Sequence, residues 1–183
     1  MSILDSLITF SLAAALLTIT PGLDTALILR TAISEGKKPA WNAALGINTG
    51  CFIWGIMIAF GLGALLATSE LAYTILKWCG ALYLGWLGAQ LLLKPRKRLN
   101  VLTNQNEQSS NWYVRGILSN LLNPKTGIFY ISFLPQFIPV HQSPITWTFI
   151  LVSIHIAMST LWSIGLILMT HRATQLLKLP SFT

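Results

Sequence analysis

Long apolar segments separated by short polar stretches make up most of the chain. They run approximately over residues 3–34, 40–67, 71–93, 113–138 and 145–169. At about 1.5 Å of rise per residue, about 20 apolar residues in a helix cross a bilayer core of about 30 Å. A backbone inside lipid must satisfy its own hydrogen bonds, which favours helices. The pattern therefore predicts an all-α, polytopic integral membrane helical bundle with the lipid bilayer around it.

The composition excludes an ordinary soluble domain. The 183 residues are 54% hydrophobic and 9% charged, whereas a soluble domain carries about 25% charged residues. So few charges leave too little polar surface to cover a large soluble core. No basic segment precedes the first apolar run, so no cleavable signal peptide is indicated.

The net charge of +7 is concentrated in alternate loops. The turns near Glu70 and at residues 140–144 lack Lys and Arg, apart from Lys77, whose long side chain reaches an interface. The positive-inside rule predicts an outside N-terminus and a cytoplasmic C-terminus. The basic run 94–98 is interpreted as a cytoplasmic lipid anchor, without a nucleic-acid partner. The basic residues counted are Arg30, Lys37, Lys38, Lys94, Arg96, Lys97, Arg98, Arg115, Arg172 and Lys178.

Two segments combine a proline with an ionisable residue inside an apolar run. Pro21-Gly22 precedes Asp24, and Asn123-Pro124 precedes Lys125. Proline removes a backbone donor and breaks or kinks a helix. A charge at the bilayer centre costs about 2.5–3.5 kcal/mol on insertion scales. Pro21, Gly22 and Pro124 are therefore the predicted helix breaks.

The two charges are predicted to share one depth. Asp24 lies ten residues before Ser34, and Lys125 lies ten residues after Arg115, both at cytoplasmic ends. Ten helical residues span about 15 Å, half the hydrocarbon core. Matched breaks in oppositely oriented halves are typical of transporters built as inverted repeats. We expect one transmembrane transporter domain over 1–183, with three helices in repeat one, 1–93, a polar cytoplasmic loop, 94–113, and two in an incomplete repeat two, 114–183.

Asp24, Lys125, Asn120 and Asn123 are the predicted substrate- or proton-binding residues. The alternative is a buried ion pair that only fixes helix register, or a proline that only kinks its helix. For Asn120 and Asn123 two roles are open. They bind a polar ligand, or they form hydrogen bonds with each other and with the backbone groups that Pro124 leaves unpaired.

Other chemistry-bearing residues indicate no further function. His155 is interpreted as a hydrogen-bonded packing residue, and Cys51 and Cys79 as small core residues without a disulfide. No metal site, cofactor or catalytic constellation is predicted, so the chain is not expected to be an enzyme. Without a nucleotide-binding motif, transport would draw on an ion or substrate gradient.

The chain resembles the lysine exporter (LysE/RhtB) family of bacterial amino-acid exporters. The resemblance covers residues from about 15 to 170 in family order. The matching motifs are Thr20-Pro21-Gly22-Leu23-Asp24-Thr25, residues 44–50 (ALGINTG), residues 76–88 (LKWCGALYLGWLG), residues 116–125 (GILSNLLNPK) and residues 133–137 (FLPQF).

The resemblance implies an inner-membrane, secondary active exporter of amino acids such as lysine, threonine, homoserine or leucine, driven by the proton motive force. The family usually has a second proline where Leu23 stands, and a sixth helix after the fifth. Five helices either suffice, as in a homo-oligomer, or indicate a truncated, non-transporting protein or a partner subunit. A small-ion exporter is the remaining alternative, disfavoured by the lack of Cys and His clusters.

Overall fold

The computed structural model describes residues 2–68 and 111–177, with isolated positions between 71 and 82. The apolar segment predicted at 71–93 and residues 94–110 of the predicted loop lie outside these ranges, apart from those isolated positions. The repeat boundaries that depend on them therefore remain predictions.

The described residues form helices and turns without a β-strand, which confirms the all-α fold class. The helices are α1 (Ile3–Ile19), α2 (Leu23–Ser34), α3 (Lys37–Thr68), α4 (Trp112–Leu121), α5 (Pro124–Ile128), a π-helical turn (Phe129–Phe133), a 3-10 turn (Leu134–Phe137) and α6 (Pro144–Leu177).

The first apolar segment is divided at Pro21-Gly22, as predicted. The axes of α1 and α2 differ by 49° across this break. Helix α1 begins with a capping box, in which the Asp5 amide donates to Ser2 Oγ at 3.1 Å and the Ser2 amide donates to Asp5 Oδ2 at 3.3 Å. These bonds satisfy amides that lack helical partners at the start of α1.

The turn between α2 and α3 is shorter than the polar stretch at residues 35–39, which separates the first two apolar segments of the sequence. Gly36 adopts a φ of 90° and donates its amide to Thr31 O at 3.1 Å, which closes α2. Helix α3 then begins at Lys37 and includes Pro39. Proline is tolerated there because amides in a first turn have no helical partner.

The fourth apolar segment is irregular throughout its second half. After the break at Asn123 comes the short α5, and then the π-helical turn, where the Leu134 amide donates to Phe129 O. Pro135 has no amide to donate to the carbonyl four residues earlier, so regular α-helical bonding cannot continue. The predicted span over 113–138 is thus several short pieces.

Close approach between α3 and α4 depends on glycine. A Cβ on Gly46 would lie 2.0 Å from Tyr113 O, and one on Gly116 would lie 2.2 Å from Ala43 O. The two backbones are therefore in direct contact, a packing that only small residues permit.

The long apolar helices and their exposed apolar side chains are typical of a protein embedded in a bilayer. Among the described residues, α3 and α6 are each long and apolar enough to cross a membrane, and the bent pair α1–α2 provides a third span. Large exposed apolar side chains on these helices include Leu12, Leu16, Phe60, Leu161 and Met169. In lipid this exposure carries no hydrophobic cost, and the fold is a helical membrane bundle.

Candidate functional site

The end of α1 exposes carbonyl oxygens toward the interior. In a regular helix the amide of residue 21 would donate to Leu17 O, but residue 21 is a proline and has no amide hydrogen. Lys125 Nζ takes this place, donating to Leu17 O and to Thr20 O, each at 2.8 Å. The ammonium group thus caps the negative end of the α1 dipole.

The start of α2 carries Asp24 in its first turn, where the helix dipole favours a carboxylate. Its Oδ1 accepts a hydrogen bond from Ser119 Oγ at 2.9 Å. Its Oδ2 accepts from Asn120 Nδ2 at 2.9 Å and from Asn123 Nδ2 at 3.3 Å. Three neutral side chains at the end of α4 therefore hold the carboxylate.

Asn123 connects the two helix breaks. Its Oδ1 accepts from the Lys125 amide at 3.1 Å and caps α5, while its Nδ2 reaches Asp24. An asparagine can do both because one end of its amide accepts and the other donates. The residue that begins α5 therefore also contacts the beginning of α2.

Asp24 and Lys125 line one cavity but do not bind each other in the described contacts. The ammonium donates to carbonyl oxygens, and the carboxylate accepts from neutral side chains. The sequence predicted that the two charges share one depth and left a buried ion pair as an alternative, and the described contacts do not form that pair. Instead each helix break supplies complementary groups, because a broken helix exposes amides at one end and carbonyls at the other.

The cavity between the breaks has a volume of about 40 Å³. This is room for a few water molecules, less than an amino acid needs. The cavity is lined by Leu17, Thr18, Asp24, Thr25, Ile28, Ile47, Cys51, Asn120, Lys125, Thr126, His155, Ser159, Trp162 and Ser163.

Two polar atoms at this cavity lack partners in the described structure. Asn120 is 1% exposed, yet its Oδ1 accepts no hydrogen bond. Only the nitrogen end of its amide can donate to Asp24, so Oδ1 is turned to the α3 backbone, where a Cβ on Gly50 would lie 2.8 Å away. The indole nitrogen of Trp162 is likewise buried without an acceptor.

All four residues singled out from the sequence gather at this junction, together with side chains that the sequence did not single out. Ser119 binds Asp24 directly, and its only earlier signal was its place beside Asn120. His155 lines the cavity, and its Nδ1 lies 2.9 Å from Tyr130 Oη, consistent with the predicted hydrogen-bonded packing role. Within the described ranges, no group of three or more His, Cys, Asp and Glu side chains could hold a metal ion.

Comparison with known proteins identifies a family model and several relatives that match most of the chain. The family model for the LysE type translocator matches residues 15–182. The chain is 30% identical over 190 residues to the uncharacterized membrane protein YrhP of Bacillus subtilis (strain 168), covering 98% of this chain and 90% of that protein.

Two of the relatives are named as efflux proteins. The chain is 36% identical over 134 residues to a homoserine/homoserine lactone efflux protein of Salmonella typhimurium, covering 73% of this chain and 65% of that protein. It is 32% identical over 146 residues to a leucine efflux protein of Enterobacter sp. (strain 638), covering 79% of this chain and 69% of that protein. No solved structure matches significantly.

Proposed function

The chain belongs to the LysE type translocator family, and we propose that it exports amino acids across the bacterial inner membrane. The observation that carries the proposal is the junction of two helix breaks, where Asp24 and Lys125 line one cavity. Charged residues inside membrane helices mark substrate and ion pathways. The relatives named for homoserine and leucine efflux support amino acids as the substrate class.

Transport is secondary active and coupled to the proton motive force. Lys125 binds the substrate carboxylate, and Asp24 carries the coupled proton. Proton arrival at Asp24 removes the charge that Ser119, Asn120 and Asn123 stabilise, and so loosens the junction between α2 and α4. Alternating access follows if the two breaks separate on one side of the membrane and close on the other.

Export from cells tests this proposal. Cells expressing Asp24→Asn or Lys125→Met are loaded with leucine or homoserine through dipeptides, and efflux is compared with the wild-type protein at equal membrane abundance. We expect efflux to fall by about 100-fold or more, since each change removes a charge with several partners, worth about 3 kcal/mol.

Lys38→Met is the matched control, because Lys38 is an exposed lysine at the start of α3. It should export like the wild type. Wild-type efflux in both Asp24→Asn and Lys125→Met would refute the assigned roles, and lack of amino-acid efflux by the wild type would refute the export function.

A further inference from the structure

We infer that Leu17 O and Thr20 O form the subsite for the ammonium group of the substrate, and that Lys125 occupies this subsite when no substrate is bound. The inference rests on the proposed export of amino acids and adds the position of one substrate group. The side-chain ammonium of Lys125 then occupies the position of the substrate ammonium in the empty transporter.

The two carbonyls are a ready-made cation site. Pro21 deprives Leu17 O of its helical donor, and the end of α1 adds the negative pole of a helix dipole. The Lys125 ammonium satisfies both oxygens at 2.8 Å. A substrate ammonium offers the same three donors and the same charge, so it can replace Lys125 without a loss of hydrogen bonds.

Asp24 is the anionic side chain among the described residues that line the cavity, and its oxygens already accept hydrogen bonds. Both its oxygens accept hydrogen bonds from side chains on α4 or at its end. These three bonds use three of the about four lone-pair sites of the carboxylate. A substrate ammonium that formed more than one hydrogen bond there would displace Ser119, Asn120 or Asn123, and a buried donor without a partner costs about 1–3 kcal/mol. Exchange at the carbonyls leaves those bonds intact.

The size of the cavity also favours replacement of the Lys125 ammonium by the substrate ammonium over binding of both at once. A volume of about 40 Å³ leaves no room for an amino acid beside the seated lysine. Departure of the Lys125 ammonium clears space at the oxygens, next to Gly22, whose missing Cβ would otherwise lie 3.1 Å from Nζ.

The exchange selects for substrates with two charges. Once displaced, the Lys125 ammonium needs a new partner, because an unpaired buried charge is costly. The carboxylate of an α-amino acid supplies this partner, whereas a simple amine does not. The subsite thus accepts zwitterions with a free ammonium and excludes amines and N-acylated amino acids.

Binding of decarboxylated amino acids to the purified protein tests the subsite without transport. The probes are isopentylammonium and 3-hydroxypropylammonium, which are leucine and homoserine without the carboxylate, and the readout is the rise in thermal unfolding temperature in detergent. In the wild type and in Lys38→Met the amines should compete poorly with the seated lysine. In Lys125→Met the subsite is vacant, and amine affinity should rise by about tenfold or more, the value of a charged hydrogen bond.

Lys125→Arg retains a cation that can reach the carbonyls, and it should gain no amine binding. Equal amine affinity in the wild type and Lys125→Met overturns the inference. If Lys125→Met does not fold, the wild type alone decides: stabilisation by an amino acid but not by its amine supports the subsite, and equal stabilisation by both refutes it.

The two proposals fail separately. In one outcome the wild type exports amino acids and yet binds amines as tightly as Lys125→Met does. This result would overturn the ammonium subsite and leave the export function standing. Amine binding gained in Lys125→Met, with no amino-acid export by the wild type, would overturn the export function and leave the cation subsite standing.

Discussion

The carboxylate of Asp24 determines how its neighbours are oriented. Asn120 must present its nitrogen to Asp24, so its oxygen has no hydrogen-bond partner among the residues that the structure describes. An unsatisfied buried acceptor costs about 1–3 kcal/mol. The chain accepts this cost at one amide, which indicates that the hydrogen bond to Asp24 is the stronger requirement.

Replacement of Ser119 by alanine should weaken the junction between α2 and α4. Ser119→Ala removes the donor to Asp24 Oδ1 and leaves that oxygen unpaired in a partly buried site. We expect the free energy of unfolding in detergent to fall by about 1–3 kcal/mol, measured by chemical denaturation.

Ser153→Ala is the matched control for Ser119→Ala. The Ser153 hydroxyl is exposed and, in the described part of the chain, donates to Phe149 O in its own helix, so its removal should change stability little. Equal losses in the two variants would mean that the bond from Ser119 to Asp24 contributes nothing measurable.

At the residue scale the sequence predicted which groups lie close together better than it predicted their hydrogen-bond partners. Asp24 and Lys125 stand out because charges are rare in apolar segments. Their partners do not, because backbone carbonyls leave no trace in the sequence and a serine such as Ser119 is common in helices. The bond from Lys125 to Leu17 O required knowledge of where α5 packs.

At the scale of elements, proline positions predicted the helix breaks. Pro21 divides the first segment and Pro124 begins α5. The π-helical turn at Phe129–Phe133 was not predicted, because a shift to bonds five residues apart depends on packing around Phe129 and Tyr130 as well as on Pro135.

The contact between α3 and α4 should be sensitive to one methyl group. In Gly116→Ala the new Cβ would lie 2.2 Å from Ala43 O, a backbone atom that cannot rotate away. The helices must separate, and overpacking of this kind costs about 1–3 kcal/mol. The expected result is a lower unfolding temperature of the purified variant.

Gly165→Ala should have the opposite effect on stability. No atom of the described residues lies within 4 Å of a Cβ at Gly165 in α6, and alanine is the better helix former by about 0.5–1 kcal/mol. If both variants lost stability alike, the cost would belong to helical glycine in general and not to the α3–α4 contact.

At the scale of the whole molecule, the distribution of Lys and Arg predicts its orientation in the bilayer. Glu35 lies in the turn between α2 and α3, and Ser143 lies in the turn before α6, and both are exposed. The positive-inside rule assigns these turns to opposite sides of the membrane.

Cysteine labelling tests this orientation in a protein whose Cys51 and Cys79 are replaced by alanine. In right-side-out vesicles a membrane-impermeant maleimide should modify Ser143→Cys at once and Glu35→Cys only after the vesicles are opened. The reverse pattern would show that the orientation is inverted. Modification of both sites in sealed vesicles would contradict the placement of these turns on opposite sides.

The short distance between residue 22 and Lys125 has a consequence for sequence divergence among relatives. A side chain at position 22 competes for volume with the tip of the side chain at position 125, since even one methyl group would lie 3.1 Å from Nζ. We therefore expect the two positions to covary in size: where evolution enlarges the first, the second should shorten.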